Sequence, residues 1–391
     1  MEDNKKEKKL KPKLLIATDN FLPRIDGIAV FLKNIISKLS TTYDVTVVSP
    51  NFGKVESKDF KHIRIPLSNI GMGDYTGAKV MPRKIKNLVK KSDVVFTQTI
   101  GPIGVLAVYY AKKAKVPVAS FMHSIEWELV PMATKTITVR RLLFPFMKIL
   151  TKFIYNKTNL VILPSEGIAE IVGWRGIKSK KVVVNLGVDS DIFAPAKLLN
   201  SNQQKRIEEL KNEYDLEGKF VIGTHGRIAR EKDLFTLLRA FRRLQKKYSD
   251  VKLLVIGEGI PAIKERLQKV DGVILPGAVQ EVNVYLNLID VYVTTSLTET
   301  TSLSTLEAMS TGLTVISTPI GFIKEYIKNN VNGFFFPTKD AFSLYKQLDL
   351  LKNNNSLVRA VGERARKTVS SAFQWNDTVL GIKDAIKSLE K

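Results

Sequence analysis

Residues Asp290–Ser317 read DVYVTTSLTETTSLSTLEAMSTGLTVIS. A β-branched run ends at Ser296, and a polar loop carries Glu299. A helix beginning near Ser302 then carries Glu307 and leads into a second β-branched run, Leu313–Pro319. Continuous Val/Ile/Leu runs joined through helices mark parallel strands buried on both faces. The same alternation extends outward from this stretch. Upstream in the second half lie Lys219–Gly226, Val251–Gly259 and Gly272–Gly277. In the first half lie Lys13–Asp19, Asp44–Pro50, Asp93–Thr99, Val116–His123, Asn159–Ser165 and Lys181–Gly187. Strand–helix alternation predicts an α/β chain. It occurs twice, on either side of a polar, charged stretch, Ala194–Gly218, which puts a linker near Pro195. At ~150 residues per domain, the 391 residues have room for two. Two doubly wound domains form a cleft between the carboxyl ends of their strands, where such folds bind ligands.

Composition narrows the chemistry. Hydrophobic residues at 44% fit a globular chain, not a disordered one. The absence of cysteine excludes disulfides, zinc–thiolate sites, iron–sulfur clusters and cysteine nucleophiles. The opening MEDNKKEKKLKPK lacks the apolar core of a signal peptide and reads as a solvated tail. The uncharged run Val94–Ala111 is broken by Gln98, Gly101, Pro102 and Gly104. A spanning helix wants ~20 predominantly apolar residues, so this run reads as a strand, a turn and a buried helix. The chain is expected to be soluble or peripheral. Its net charge of +23 is uneven: residues 1–200 hold 33 Lys and Arg against 16 Asp and Glu, and the remainder 28 against 22. A first half at +17 should seek nucleic acid, acidic membrane or a phosphorylated ligand, unless the charge serves only solubility or thermal adaptation.

Two segments carry the chemistry. The loop after Ser296 and the following helix N-terminus offer backbone N–H groups to an anion such as a diphosphate. A loop carboxylate, Glu299, can reach a sugar, and Glu307 on the helix can accept from ribose hydroxyls; the bland alternative is a pair of solvated glutamates. In GTHGRIAREKDLFTLLRAF (Gly223–Phe241), Arg227 and Lys232 flank a helix start. Cations there are disfavoured by the macrodipole unless an anion sits between them. The Gly257–Gly259 turn in VIGEGIPAIKERL is weak evidence for a nucleotide by itself.

These motifs, in this order, resemble family 4 glycosyltransferases of the GT-B fold. The resemblance rests on two glutamates separated by seven residues in ETTSLSTLEAMSTGLTVIS, on Gly226–Lys232, Val255–Gly259 and Gly277–Val279, and on IGFIKEYIKNNVNG (Ile320–Gly333), which has one glycine fewer than the family pattern. The first half agrees through ATDNFLPRIDGIAVFLKNI, MHSIEWELV, LPSEGIAEIV and VVNLGVDSDIF. The chain departs from many relatives in having Thr300, Thr301 and Ser302 where a glycine is common, which leaves donor preference open.

The resemblance implies two Rossmann-like domains facing a central cleft. Residues 1–195 would bind the acceptor and associate with membrane, 196–372 would bind the nucleotide-sugar donor, and a helix in 373–391 would return to the first domain. The implied reaction is retaining hexosyl transfer with no essential metal and no cofactor. Arg227 and Lys232 would neutralise the leaving diphosphate and Glu299 would hold the donor sugar; His123 would orient the sugar or the acceptor. Gly27, Gly226, Gly257, Thr301, Ser302 and Leu303 would line the donor, with Val279 at the base and Glu307 at the ribose. His62 has no such match and reads as surface; the role of His225 is open. Asp189-Ser190-Asp191 spells a metal-binding motif of a different fold and is read here as a decoy.

The basic first half points to a surface. Thr134–Lys157 punctuates a run of Leu, Ile, Met and Phe with Lys135, Arg140, Arg141, Lys148, Lys152 and Lys157. Such a basic amphipathic stretch suits an anionic bilayer, unless its apolar face simply packs on the sheet. Met81–Lys91 adds Arg83, Lys84, Lys86, Lys90 and Lys91. TETTSLSTLEAM and MHSIEWEL also resemble members that glycosylate diacylglycerol or phosphatidylinositol. The expected function is transfer from a UDP-glucose- or GDP-mannose-type donor to a membrane lipid, by a protein peripheral on the cytoplasmic face. A soluble or polyprenyl-linked glycan acceptor is the alternative. Nucleic acid is not expected as a partner, and oligomeric state is not readable.

Overall fold

The computed structural model describes residues 11–24, 26–72, 75–134 and 136–390. Most of the basic tail and Lys135 lie outside the described residues. Two parallel sheets form the frame. The first runs in the order β3-β2-β1-β6-β7-β8-β9, from Lys13–Ala17 (β1), Asp44–Pro50 (β2), Lys61–Ile65 (β3), Val94–Thr97 (β6), Val118–Phe121 (β7), Leu160–Leu163 (β8) and Lys180–Val183 (β9). A separate hairpin joins Leu67–Met72 (β4) to Tyr75–Ala78 (β5). The second sheet runs β12-β11-β10-β13-β14-β15, from Phe220–His225 (β10), Val251–Ile256 (β11), Val273–Gly277 (β12), Val291–Thr294 (β13), Thr314–Ser317 (β14) and Phe334–Phe335 (β15).

The helices of the first half are Gly27–Leu39 (α1), Pro82–Lys90 (α2), Pro102–Ala114 (α3), Glu126–Met132 (α4), Ile137–Tyr155 (α5) and Glu166–Trp174 (α6). Those of the second are Ser201–Glu213 (α7), Leu234–Gln245 (α8), Pro261–Gln268 (α9), Val282–Leu286 (α10), Leu303–Ser310 (α11), Ile323–Tyr326 (α12), Ala341–Lys352 (α13), Asn355–Ala372 (α14) and Trp375–Lys387 (α15). In both sheets the chain starts mid-sheet, winds to one edge, then returns and winds to the other. The crevice where strand order reverses, between β1 and β6 and between β10 and β13, is where doubly wound sheets bind ligands.

Every strand run read from the sequence is present. The edge strand β3, whose charged alternation hides it, and the two-residue β15 were not legible. Much of the polar stretch read as linker is helix: Asn200 caps α7, and Ile207 and Leu210 bury into the core of the second sheet. Val188, Phe193 and Ala194 pack there too.

The chain returns beside the point where it left. The Val188 N–H donates to the Phe373 carbonyl at 2.9 Å, and an added Cβ at Gly187 would come within 2.4 Å of the Gln374 backbone. From there α15 buries Val379, Ile382, Ala385 and Ile386 in the core of the first sheet, alongside α1. On the opposite face of that sheet lie α2, α3 and α5.

Candidate active site

The loops after β10 and β13 flank the switch point of the second sheet. Between them is a recess lined by His225, Gly226, Arg227, Lys232, Tyr292, Thr295, Ser296 and Ser304, among others. Gly226 leaves β10 at φ 121° and Gly257 leaves β11 at φ 137°, conformations that favour glycine. A Cβ on Gly257 would fall 2.0 Å from the Gly226 carbonyl oxygen, so these two strand ends touch backbone to backbone. Beyond Gly226, a short 3-10 turn, Arg230–Lys232, precedes α8. Its carbonyls are tied to the β13 loop: Leu297 N–H donates to Glu231 O at 2.7 Å, and Thr295 Oγ1 to Lys232 O at 2.6 Å.

Those ties bring the predicted charges together. The Lys232 ammonium binds the Glu299 carboxylate, which also accepts from Ser296 Oγ at 3.0 Å. Burial alone would pull the Lys232 pKa down, but Glu299 more than offsets it, leaving Lys232 above its ordinary value and firmly cationic. Arg227 pairs with the buried Glu231 four residues on. Glu307, on α11, accepts from His225 Nε2 at 2.6 Å. His225, whose role was open, thus positions one of the two glutamates. Its pairing joins residues 82 apart and leaves no local signal in the sequence.

The helix start at α11 differs from a glycine-containing loop in one respect. Ser302 caps it at φ 58°, in the left-handed region, without a side-chain bond to the helix amides. Its Oγ instead meets Thr305 Oγ1 at 2.8 Å. Thr301 is buried, its carbonyl accepting from Tyr326 Oη at 2.9 Å, and Leu303 packs between the cores of both sheets. Val279 sits apart from the recess, half-buried beyond the end of β12.

The first half supplies the facing wall. Asp26 caps α1 by accepting from Ala29 N–H at 2.9 Å, so Gly27 opens the helix, with nothing near where its side chain would be. Burial raises the Asp26 carboxyl; the Ala29 amide, Arg24 and Arg227 pull it back, and the last of these acts from the opposite half. His123, at the end of β7, is wedged between Phe31 and Phe121 at 4.8 and 4.4 Å. Its Nε2 hydrogen-bonds Gln98 Oε1 at 2.8 Å. Burial pushes its pKa down to about 3, so it is neutral at physiological pH. The two halves touch here: Thr300 Oγ1 donates to the His123 carbonyl at 2.6 Å and Thr298 Oγ1 to Glu128 Oε2 at 3.0 Å.

Two other readings resolve locally. Asp189 Oδ1 accepts from the amides of Asp191 and Ile192, closing a turn. Among the described residues, no group of three or more His, Cys, Asp or Glu is placed to hold a metal. His62, read as surface, is half-buried against Phe21 and Phe60 and bonds Ser49 Oγ at 2.8 Å, a correction with a plain cause: it lies in β3, which pairs with β2 and sets its ring among those aromatics.

The basic clusters lie on one face. Arg83, Lys86 and Lys90 are exposed on α2, and Lys84 is half-buried with its ammonium on the Arg64 carbonyl at 3.1 Å. On α5, Met147, Thr151, Ile154 and Tyr155 are buried, while Leu142, Phe146, Ile149 and Phe153 form an exposed stripe; Leu142 is 70% and Ile149 71% exposed. Spacings of four, three and four residues put that stripe on one side of the helix. Arg141 and Lys152 are exposed near it, and Arg140 and Lys148 half-buried. So α5 packs by one apolar face and exposes another. No helix among the described residues is long and apolar enough to cross a membrane.

With this geometry in place, known proteins give it a context. The fold matches Anabaena HepE in complex with UDP and glucose at TM-score 0.77, with 16% identity over 97% of this chain and 100% of that one. The alpha-monoglucosyldiacylglycerol synthase of Streptococcus pneumoniae is 25% identical over 82% of this chain and 74% of its own length. The enzyme of the same name from Acholeplasma laidlawii is 24% identical over 90% of each. The description "Glycosyltransferase Family 4" matches residues 25–192 and "Glycosyl transferases group 1" residues 206–368. Two matched segments that together span most of the chain, on two Rossmann-like sheets of the GT-B arrangement, show that it belongs to the family 4 glycosyltransferases, retaining and metal-independent hexosyltransferases that use nucleotide sugars.

Proposed function

We propose that this protein moves a hexose from a nucleoside diphosphate hexose to a hydroxyl of a membrane lipid. The exposed Leu142–Phe153 stripe on α5, with basic residues beside it, carries the reading: an apolar face in solvent needs an apolar partner. Two relatives named as monoglucosyldiacylglycerol synthases support it, since their product is a glycolipid. UDP and glucose, named for the HepE complex, make UDP-glucose the first donor to test, with GDP-mannose second.

In this reading residues 196–372 hold the donor and 1–195 dock the acceptor from the cytoplasmic face. Lys232 and Arg227 stabilise the charge that develops on the departing diphosphate. Glu299 holds the sugar's hydroxyls and Glu307, steadied by His225, the ribose. The backbone at Gly27, Gly226, Gly257 and Thr301–Leu303 lines the phosphates, and Val279 meets the base. Neutral His123 accepts or donates a hydrogen bond to the sugar or acceptor without adding charge. A panel of sugar nucleotides incubated with native membrane lipids and read by mass spectrometry tests the proposal. One nucleotide should yield a glycolipid with the wild type and none with Glu299→Ala. No glycolipid from any donor would sink the lipid acceptor.

A further inference from the structure

Beside the α5 stripe lies a second cavity of about 260 Å³, which shares no lining residue with the recess at the second sheet. Trp127, Lys148, Ile149, Lys152, Trp174, Arg175 and Ile177 line it. A water takes about 30 Å³, so the space admits a group of head-group size. Three features distinguish it from ordinary basic surface. First, Lys148, Lys152 and Arg175 converge on it, and among the described residues none of them has a carboxylate partner. Cations of the second half, by contrast, are repeatedly paired: Arg206, Lys211, Lys247, Lys252, Lys264 and Lys352 all meet Asp or Glu. Second, the cavity is built. Gly176 turns at φ 82° and leaves the room that the Lys152 ammonium occupies; an added Cβ would come 2.7 Å from Nζ. Trp127, 1% exposed, forms a wall, and its buried indole N–H has no hydrogen-bond partner. Third, the rim is amphipathic: Trp174 is 84% exposed, and Ile149 belongs both to the cavity and to the stripe. Exposed indoles of this kind favour the bilayer–water interface.

We propose that this cavity binds the phosphate of an anionic phospholipid head group, with Lys148, Lys152 and Arg175 around the phosphate and Trp174 at head-group depth. The occupant is taken to be a lipid, not a free phosphate, because the cavity is continuous with the apolar stripe. To that extent it rests on the membrane reading above. It adds a specific contact to that reading, one that senses head-group chemistry separately from the acceptor lipid.

The test uses the full chain and vesicles of phosphatidylcholine containing either phosphatidylglycerol or an equal charge of a carboxylate amphiphile, cholesteryl hemisuccinate. Flotation gives the affinity for each. The wild type should prefer the phosphate-bearing vesicles by about tenfold or more, the order expected of one charge-assisted hydrogen bond to a phosphate oxygen that the carboxylate amphiphile does not make. Lys152→Ala/Arg175→Ala should bring that preference to about one. Lys86→Ala/Lys90→Ala on α2, which removes equal charge, should weaken binding to both anionic vesicles and keep the preference. A second arm titrates glycerol 3-phosphate and reads tryptophan emission, with Trp174→Phe as reference. A double variant that keeps the wild-type preference, with emission unmoved by glycerol 3-phosphate, overturns the cavity and leaves the stripe as the membrane contact. If the wild type floats with no vesicle but glycerol 3-phosphate shifts Trp174 emission in the wild type and not in the double variant, the phosphate site stands, its lipid source is refuted, and the membrane reading falls.

Discussion

The two halves of the molecule use cations in opposite ways. Around the switch point of the second sheet, Arg227 and Lys232 are each matched to a carboxylate, Glu231 and Glu299. On α5 and α6 of the first half, Lys148, Lys152 and Arg175 have no carboxylate among the described residues and share their surroundings with exposed Ile149 and Trp174. Matched charge costs less to bury, and holds geometry as the diphosphate role proposed for this recess requires. Unmatched charge next to apolar surface is poised for a partner that is itself anionic and greasy. The net charge of the chain blurs these two designs into one number.

Substitutions that act on one half and spare the other test this contrast. Lys232→Ala should cut transfer by roughly 10²–10³-fold, the range for losing one preorganised electrostatic donor, while vesicle flotation stays at the wild-type level. A transfer rate within a few-fold of wild type would break the contrast at its strongest point. Leu142→Ser/Ile149→Ser should do the reverse, weakening vesicle binding by about 10²–10⁴-fold, as expected for removing two side chains worth about 1.5–3 kcal/mol each. Donor hydrolysis in the absence of membrane should be unchanged.

Buried carboxyls sharpen the same comparison. Glu299 has a cation, Lys232; Glu126, buried at the start of α4, has neutral partners, the Tyr155 hydroxyl at 2.7 Å and its own backbone N–H. Burial raises its pKa to about 7, with those hydrogen bonds pulling the other way. The fold therefore keeps a proton that the unfolded chain releases at lower pH. Its contribution is whole below the ordinary carboxyl range, about 4.5, and is lost as pH climbs through about 7, by at most about 3 kcal/mol. Thermal melts of Glu126→Gln against wild type across that window should show the slope flattened. His225→Ala should raise the donor KM roughly tenfold, the cost of a hydrogen bond to a charged group, with kcat little altered; an unchanged KM would remove His225 as a support for Glu307. Smallest of all, Ser302→Gly should change stability by no more than about 1 kcal/mol, because relief of a left-handed backbone is offset by a freer unfolded chain.

How much of this could be read in advance follows from how local each cause is. Strand ends, glycine turns and the Arg227–Lys232 and Glu299–Glu307 spacings are written within a few residues, and the structure draws most of them around one recess. Contacts across long separations were not legible. Asp19, at the end of β1, accepts from Thr99 Oγ1 and from the amides of Ile103 and Gly104, capping α3 more than eighty residues away. The His225–Glu307 pair is of the same kind. On α5 the difficulty was different: both faces are apolar, and periodicity shows that a face exists without saying which one the sheet covers. Met147, Thr151 and Ile154 face inward, and Leu142, Phe146 and Ile149 do not.

The adjacent crossings at Gly187–Val188 and Phe373–Gln374 make the second unit an insertion within the first. During synthesis, residues 188–373 emerge as one contiguous piece and can close their own core. The first sheet cannot: Val379, Ile382, Ala385 and Ile386 of its core are made only after the whole second unit. A nascent chain therefore carries a finished second half on an unfinished first half, with α1 waiting for its neighbour. Loss of α15 would expose apolar surface on the half that precedes it by some two hundred residues, and a chaperone would meet this protein from its beginning, not its end.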